Sequence, residues 1–449
     1  MTRKPGPYFD VPIGSDSTAP YYALRFDQHG LPSSPLTQQH LIDALAKGKA
    51  TDVYLFSHGW NNDWKTALDH YRDFMAEYRK VRDSHGGGFD LNYRPVLVGI
   101  HWPSTALVTP WEKGPKFAGE EETDLADAVD LSLASEFASY VNPAQLARFY
   151  ELVERPALCE GEARDLLTLM SNVYEQGDPD VAGDPLRDSD DMLVTWAKLD
   201  AQLAPSALPA SAYDFGAAGT WGTASPEAAG FLDKLNPRNL IRGLTVFQMK
   251  DRAGTVGAVG VGPLLRQMLQ ATSGVPARFH LVGHSYGARL LLTAITQPRG
   301  EPLPRAVDSL LLLQAAVNHL CFADQLPNGR PGGFRDALDL VSSPILATYS
   351  QKDFPLRRMF HIALRRGKDL GEIEPAFDEP PNQYAALGGY GPRGFKEWGE
   401  VPIKDPLDPY DLGPDAPQVW AVNGSRTIGG HGDVINQSTA WALWNLAGR

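Results

Sequence analysis

Residues 279–290 read FHLVGHSYGARL. An apolar run ends in a polar turn, and a run of helical spacing, GARLLLTAITQ (287–297), follows at once. That order reads as a buried strand entering a helix. At the junction stands Gly283-His284-Ser285-Tyr286-Gly287, a G-x-S-x-G pattern. A serine on such a turn is forced into a strained backbone conformation that lifts its hydroxyl off the sheet. Side chains two residues to either side would collide, hence a glycine at both ends. The N–H of Tyr286, at the helix start, points where an oxyanion would form. The plainer reading of the same residues is a tight turn with an idle serine.

Outward from this stretch, apolar strands recur, each closed by turn residues: DVYLFSHGW (52–60), RPVLVGIHWPS (94–104), SLLLLQAAV (309–317), PILATYS (344–350) and PQVWAVNGS (417–425). Helical spacing separates them, as in NDWKTALDHYRDFMAEYRKVR (62–82), with Trp64, Leu68, Tyr71, Phe74 and Met75 on one side. STAWALWNLAG closes the chain as a last helix. The pattern predicts an α/β fold, with a mostly parallel central sheet flanked by helices. Ligands in such sheets bind beyond the carboxyl ends of the strands.

Between residues 105 and 244 the pattern breaks. NPAQLARFYELVER (142–155), EARDLLTLMSNVY (162–174) and DSDDMLVTWAKL (188–199) read as helices, and no strand is evident. The expected division is therefore a core of 1–104 and 245–449 with a large, mostly helical cap insertion over 105–244. The Ala/Pro/Ser/Gly-rich stretch 204–230 reads as a hinge or flap. A second, turn-rich insertion at about 362–415 lies at the same rim. Gly254, Gly257, Gly260 and Gly262 do not match GxGxxG, and no GK[ST] follows, so close packing of a small-residue helix is expected there.

A serine hydroxyl is a weak nucleophile that needs a base, which in turn needs an orienting acid. On a sheet of this kind the acid and then the histidine follow the serine along the chain. Asp353 sits just past PILATYS and is the candidate acid; its rival is Asp324. Three histidines follow Ser285: His319 comes too early, His361 lies in a basic helix, and His431 stands in the glycine-flanked loop IGGHGDVIN. His431 is the candidate base, with Asp433 a decoy acid or a helix cap. The other oxyanion donor is expected after an early strand, in Ser57-His58-Gly59-Trp60-Asn61-Asn62, from the Trp60 N–H. His58 would brace that loop. Asn61, His284 and Trp102 are candidate substrate-binding residues, with Trp102 either lining the pocket or packing in the core.

Composition narrows the alternatives. With 41 basic and 54 acidic residues the net charge is −13, which disfavours nucleic-acid binding. The best basic patch, RRMFHIALRRGKD (357–369), reads as a solvated helix. Cys159 and Cys321 are expected to be buried free thiols. No apolar run reaches the length of a membrane span, and MTRKPGPYFDVPIG has no apolar signal core, so a cytoplasmic protein is expected. The acidic loop 178–191 lacks the calcium-loop pattern, and no metal or cofactor is expected.

LFSHGWNND, GHSYG, SQKD and GGHGD, in that order, resemble the motifs of the α/β-hydrolases. FSHGWNN with GIHWPS also resembles a bacterial branch of that fold. The resemblance covers the core strands and helices and leaves both insertions unmatched. It implies the α/β-hydrolase fold, a Ser285–His431–Asp353 triad and an oxyanion hole at Trp60 and Tyr286. A serine nucleophile argues against dehalogenases and epoxide hydrolases of the fold, and HGW in place of HGGG against a short-acyl lipase. The leading expectation is hydrolysis of a small-molecule carboxylic ester. An amidase or peptidase with the same triad and a non-catalytic ligand-binding member stand beside it.

Overall fold

In the computed structural model the described residues are 4–13, 18–60, 62–85, 92–104, 134–135, 137–171, 189–190, 192–193, 196–197, 200, 235–297, 302–326, 329–360, 381 and 384–448. The chain enters through β1 (Phe9–Pro12), β2 (Thr18–Arg25), α1 (Pro35–Ala46), β3 (Asp52–Ser57), α2 (Trp64–His85) and β4 (Pro95–His101). Then come α3 (Leu146–Val153), α4 (Glu160–Leu169), α5 (Pro237–Thr255), a π-helical turn (Val256–Val261) and α6 (Gly262–Ala271). The second half runs β5 (Arg278–His284), α7 (Tyr286–Thr296), β6 (Ser309–Leu313), β7 (Ile345–Tyr349), α8 (Leu387–Tyr390), β8 (Trp398–Pro402), β9 (Val419–Asn423) and α9 (Gln437–Ala447).

The nine strands pair in the order β1-β2-β4-β3-β5-β6-β7-β9-β8. All neighbours are parallel except β1 and β2. From β3 the chain steps to β4 on one side; from β5 it steps to β6 on the other. The strand order therefore reverses between β3 and β5, whose carboxyl ends border the crevice where sheets of this kind bind ligands.

Both faces of the sheet are covered, which is why its strands read as unbroken apolar runs. Alternate residues feed two cores. Val53, Leu55, Leu310 and Leu312 pack with Leu264, Leu265 and Leu290. Tyr54, Phe56, Leu311 and Leu313 pack with Tyr71, Phe74, Trp441 and Leu443 on the other face. At the amino ends of the strands the buried Asp52, His280 and Ser309 link β3, β5 and β6, with His280 Nε2 3.1 Å from Asp52 Oδ1 and Nδ1 2.8 Å from Ser309 Oγ. Burial pushes the Asp52 carboxyl up, but hydrogen bonds from His280 and Thr51 and the Arg278 charge outweigh it and hold it below its ordinary range.

Several expectations need correction. β1, β2 and α1 are not among the expected elements; PYYALR is a mixed run with no β-branched residue. β8 lies within the expected rim insertion and extends the sheet in parallel beside β9. The expected core boundary at 244/245 falls inside α5, which is continuous through it. The glycine run is helical as expected: a Cβ on Gly257 would collide with the Leu290 carbonyl of α7. Cys159, expected to be buried, is exposed at the head of α4, while Cys321 is buried and its thiol pushed up by desolvation.

Between β4 and β5 the described residues hold helices and no strand, with Phe149, Leu152, Leu166 and Trp196 joining the first core. The stretch 204–230 read as a flap, the greater part of the acidic loop 178–191 and residues 361–380 lie outside the described residues. Among the described residues no helix is long and apolar enough to cross a membrane, and no cluster of His, Cys, Asp and Glu could hold a metal ion.

Candidate active site

Ser285 joins β5 to α7 with φ 54° and ψ −126°. For a residue with a Cβ this conformation costs about 1–3 kcal/mol and persists only where neighbours enforce it. Here its N–H donates to Leu313 O at 3.0 Å, and its carbonyl accepts from Ala288 N at 3.1 Å and Ala316 N at 3.2 Å. The flanking glycines are steric requirements. A Cβ on Gly283 would lie 2.6 Å from Ala288 Cα, and one on Gly287 would run into the carbonyl oxygens of Ser57 and His58. The carboxyl end of β3 thus touches the first turn of α7 backbone to backbone.

The serine hydroxyl lies 2.8 Å from His431 Nε2, and His431 Nδ1 lies 2.8 Å from Asp353 Oδ2. Three elements distant in sequence deliver these groups: the turn after β5, the turn after β7 and the loop after β9. Asp353 is wholly buried, whereas the His431 side chain keeps 16% of its surface exposed. Such a chain lets the imidazole take the hydroxyl proton while the carboxylate holds its tautomer. Of the other candidates, Asp324 is half-exposed and paired with Arg335 at 2.9 Å. Asp433 accepts from Gly429 N at 2.8 Å, closing the loop that carries His431. His319 is buried beside Ala385, its N–H donating to the Ala385 carbonyl. His361 lies outside the described residues.

The loop after β3 is pinned around His58. The His58 Nδ1–H donates to Gly59 O at 2.9 Å, and Nε2 accepts from Trp102 N at 3.3 Å. Burial lowers its pKa to about 4, so it is the neutral imidazole that does this. Asn62 Nδ2 donates to Gly59 O at 3.1 Å and Trp60 O at 2.9 Å. Ser104 and Asn62 exchange hydrogen bonds, at 3.2 and 3.0 Å. Tyr71 accepts from His58 N at 2.6 Å and donates to Ile100 O at 2.7 Å. A Cβ on Gly59 would lie 2.6 Å from Ser285 Cβ, which fixes how closely the Gly59–Trp60 peptide approaches the serine. Tyr286 is the first residue of α7, where an α-helix leaves its amides without internal acceptors. The Trp60 ring is half-buried against that of Tyr286, centroids 6.2 Å apart, and its enclosed indole N–H finds no hydrogen-bond partner among the described residues.

The three candidate substrate-binding residues fare differently. Trp102 is buried, stacks on His58 with centroids 5.6 Å apart, and donates from its indole to His58 O at 3.0 Å. It is the core residue of the two alternatives. His284 donates from Nε2 to His431 O at 2.8 Å, so its imidazole supports the histidine loop in place of the expected substrate contact. Burial, reinforced by nearby His431, holds its pKa well below the ordinary value, which keeps it neutral. Asn61 lies outside the described residues.

Asn62, Ser104, Tyr71 and Gln314 were not anticipated. Gln314 donates to Asp353 Oδ2 at 2.8 Å. A lone amide closing the apolar run SLLLL is the available signal for it, and membership of the loop Ser57 to Asn62 the signal for Asn62; nothing local marks Ser104 or Tyr71. Comparison of the chain with protein-family models, curated proteins and solved structures returned no match.

Proposed function

We propose that this chain is a serine hydrolase of the α/β-hydrolase fold that cleaves carboxylic esters through an acyl-enzyme. The observation that carries the reading is the strained Ser285, whose hydroxyl lies 2.8 Å from an imidazole that is itself 2.8 Å from a buried carboxylate. An idle serine on a tight turn needs neither the backbone strain nor the two partners. The strand order and the carboxyl-end location of all three groups support the same reading.

In this mechanism Ser285 Oγ attacks the ester carbonyl carbon while His431 Nε2 takes its proton. The carbonyl π electrons move onto oxygen, and the N–H groups of Trp60 and Tyr286 hold the resulting anion. Collapse of the tetrahedral species breaks the bond to the alkoxy oxygen, which leaves with the proton from His431. Water then gives a proton to His431, attacks the acyl carbon and releases the carboxylic acid, and the proton returns to Ser285. Asp353 remains ionised and steadies the imidazolium. The helical segment within 105–244 serves as a cap that selects the substrate.

Hydrolysis of a panel of esters of graded acyl length, run beside matched amides and with Ser285→Ala, tests this. Turnover of esters, abolished in the variant, is expected. Turnover of amides with ester hydrolysis no faster would make the protein an amidase. No turnover of either, with a ligand still bound, would favour a non-catalytic role.

A further inference from the structure

The Asp353 carboxylate has a partner outside the serine–histidine–aspartate chain. Gln314 directly follows β6, is wholly buried, and has a positive φ of 45°. Its N–H donates to Thr348 Oγ1 at 3.0 Å, and the Thr348 hydroxyl donates back to Gln314 Oε1 at 3.1 Å. With Oε1 turned to a hydroxyl donor, Nε2 carries both remaining N–H donors. It directs them at Asp353 Oδ2, 2.8 Å away, and Gly388 O, 3.1 Å away. Gly388 N donates to Ala315 O at 2.9 Å, so α8 lies directly over this amide. The other carboxylate oxygen, Oδ1, accepts from Leu356 N at 3.0 Å.

A glutamine held at positive φ, with every side-chain hydrogen-bonding group matched, is a costly way to fill space. We propose that Gln314 is the positioning residue of this site, its amide holding the Asp353 carboxylate where Oδ2 meets His431 Nδ1. This rests on the serine-hydrolase reading above. The segment that brings Gly388 back over the sheet thereby completes the acid's surroundings.

The titratable groups facing the amide are Asp353 and, behind it, His431. Thr348 and Gly388 are neutral. Arg357, on the same turn as Asp353, directs its guanidinium to Gly389 O at 2.9 Å and over the Tyr390 ring at 4.3 Å, and Lys352 is exposed. Gln314→Glu therefore sets one carboxylate against another. Two carboxylates at that distance share a proton, and the substitution imitates the amide only while that proton is held.

The test is the rate constant for phosphonylation of Ser285 by a fluorophosphonate, fluoride leaving as the Oγ–P bond forms, in wild type, Gln314→Leu and Gln314→Glu, from about pH 5.5 to about pH 9. It is run beside the proton NMR resonance of His431 Nδ1–H, identified by its loss in His431→Ala. Outer partners that orient a working side chain are worth about 10–100-fold. Gln314→Leu is expected to be slower by that factor at every pH, with the His431 resonance displaced. Gln314→Glu is expected to match wild type within about threefold at the acid end and to fall at least about tenfold by the alkaline end. Per-molecule rates in Gln314→Leu within about twofold of wild type, with the resonance unmoved, overturn the proposal. Should that variant not fold, a pH-independent ratio of Gln314→Glu to wild type overturns it. If wild-type Ser285 is not phosphonylated, the hydrolase reading fails separately. The resonance then decides for Gln314: displacement in the variants supports positioning, and an unmoved signal overturns it.

Discussion

The His284 imidazole donates from Nε2 to the His431 carbonyl oxygen at 2.8 Å, so the residue before the serine grips the loop that carries His431. The two imidazoles also face each other at 5.1 Å between ring centroids. His284→Ala removes this grip and leaves Ser285 and Asp353 in place. The expected result is a fall in kcat of about tenfold with KM little changed, the pattern of an interaction that serves the transition state. Steady-state kinetics on the best ester measures it. A rise in KM at unchanged kcat would return His284 to substrate binding.

Two glycines set how closely β3 and α7 approach. Gly287→Ala drives a methyl into the carbonyl oxygens of Ser57 and His58, at the carboxyl end of a central strand paired on both sides. A loss of roughly 2–4 kcal/mol in unfolding free energy is expected by urea titration. In Gly59→Ala the methyl meets Ser285 Cβ and the His284 ring. That variant is expected to keep more of its stability and lose its reaction with fluorophosphonates. Full reactivity in Gly59→Ala would show that the loop after β3 is not part of the oxyanion site.

Three histidines beside the site, His58 and His101 buried and His284 half-buried, are held neutral: His58 at about 4, and His101 and His284 well below their ordinary value, each chiefly by desolvation. Their folded-state pKa lies below the unfolded value of about 6.5. The unfolded chain therefore binds protons first on acidification. Stability is complete above the unfolded pKa and declines as pH falls toward the folded one. Each contributes a loss of about 1 kcal/mol between pH 6.5 and 5.5. Urea unfolding at those two pH values checks this, and His58→Gln is expected to shrink the difference. Stability that holds or rises on acidification would contradict neutral burial.

Asp52, His280 and Ser309 repeat the residue types of the candidate site at the opposite ends of the strands. They are wholly enclosed, and Ser309 lies within β6, not on a strained turn. Ser309 is expected to take no fluorophosphonate adduct, and Ser309→Ala to leave the reaction at Ser285 unchanged. The cost is expected in stability, about 1–3 kcal/mol for the buried hydrogen bond. Peptide mapping of an adduct at Ser309 would refute the assignment of one site.

Much of this was legible in the sequence because one constraint acts locally. Gly283-His284-Ser285-Tyr286-Gly287 carries its strain and its steric limits within five residues, and the core strands carry their burial as apolar runs. Asp353 and His431 were found by their positions after later strands. What the sequence did not display depends on contacts made from afar. β8 is a half-exposed edge strand whose WGEVP has no alternation to betray it, and it is a strand because β9 lies beside it. His284 reads as a pocket residue from its neighbours in sequence, and Trp102 as either a pocket or a core residue, but their orientation is set by the His431 loop and by His58. The lone amide of Gln314 after SLLLL gains its meaning only when Asp353, 39 positions away, is brought to it.

The measurement that bears most directly on the central claim is intact mass and peptide mapping after exposure to a fluorophosphonate, with Ser285→Ala beside wild type. The expected result is one adduct, on Ser285, absent from the variant and much slowed in His431→Ala. A folded protein that takes no adduct, or one whose adduct persists in Ser285→Ala, would mean that the turn after β5 holds no activated nucleophile.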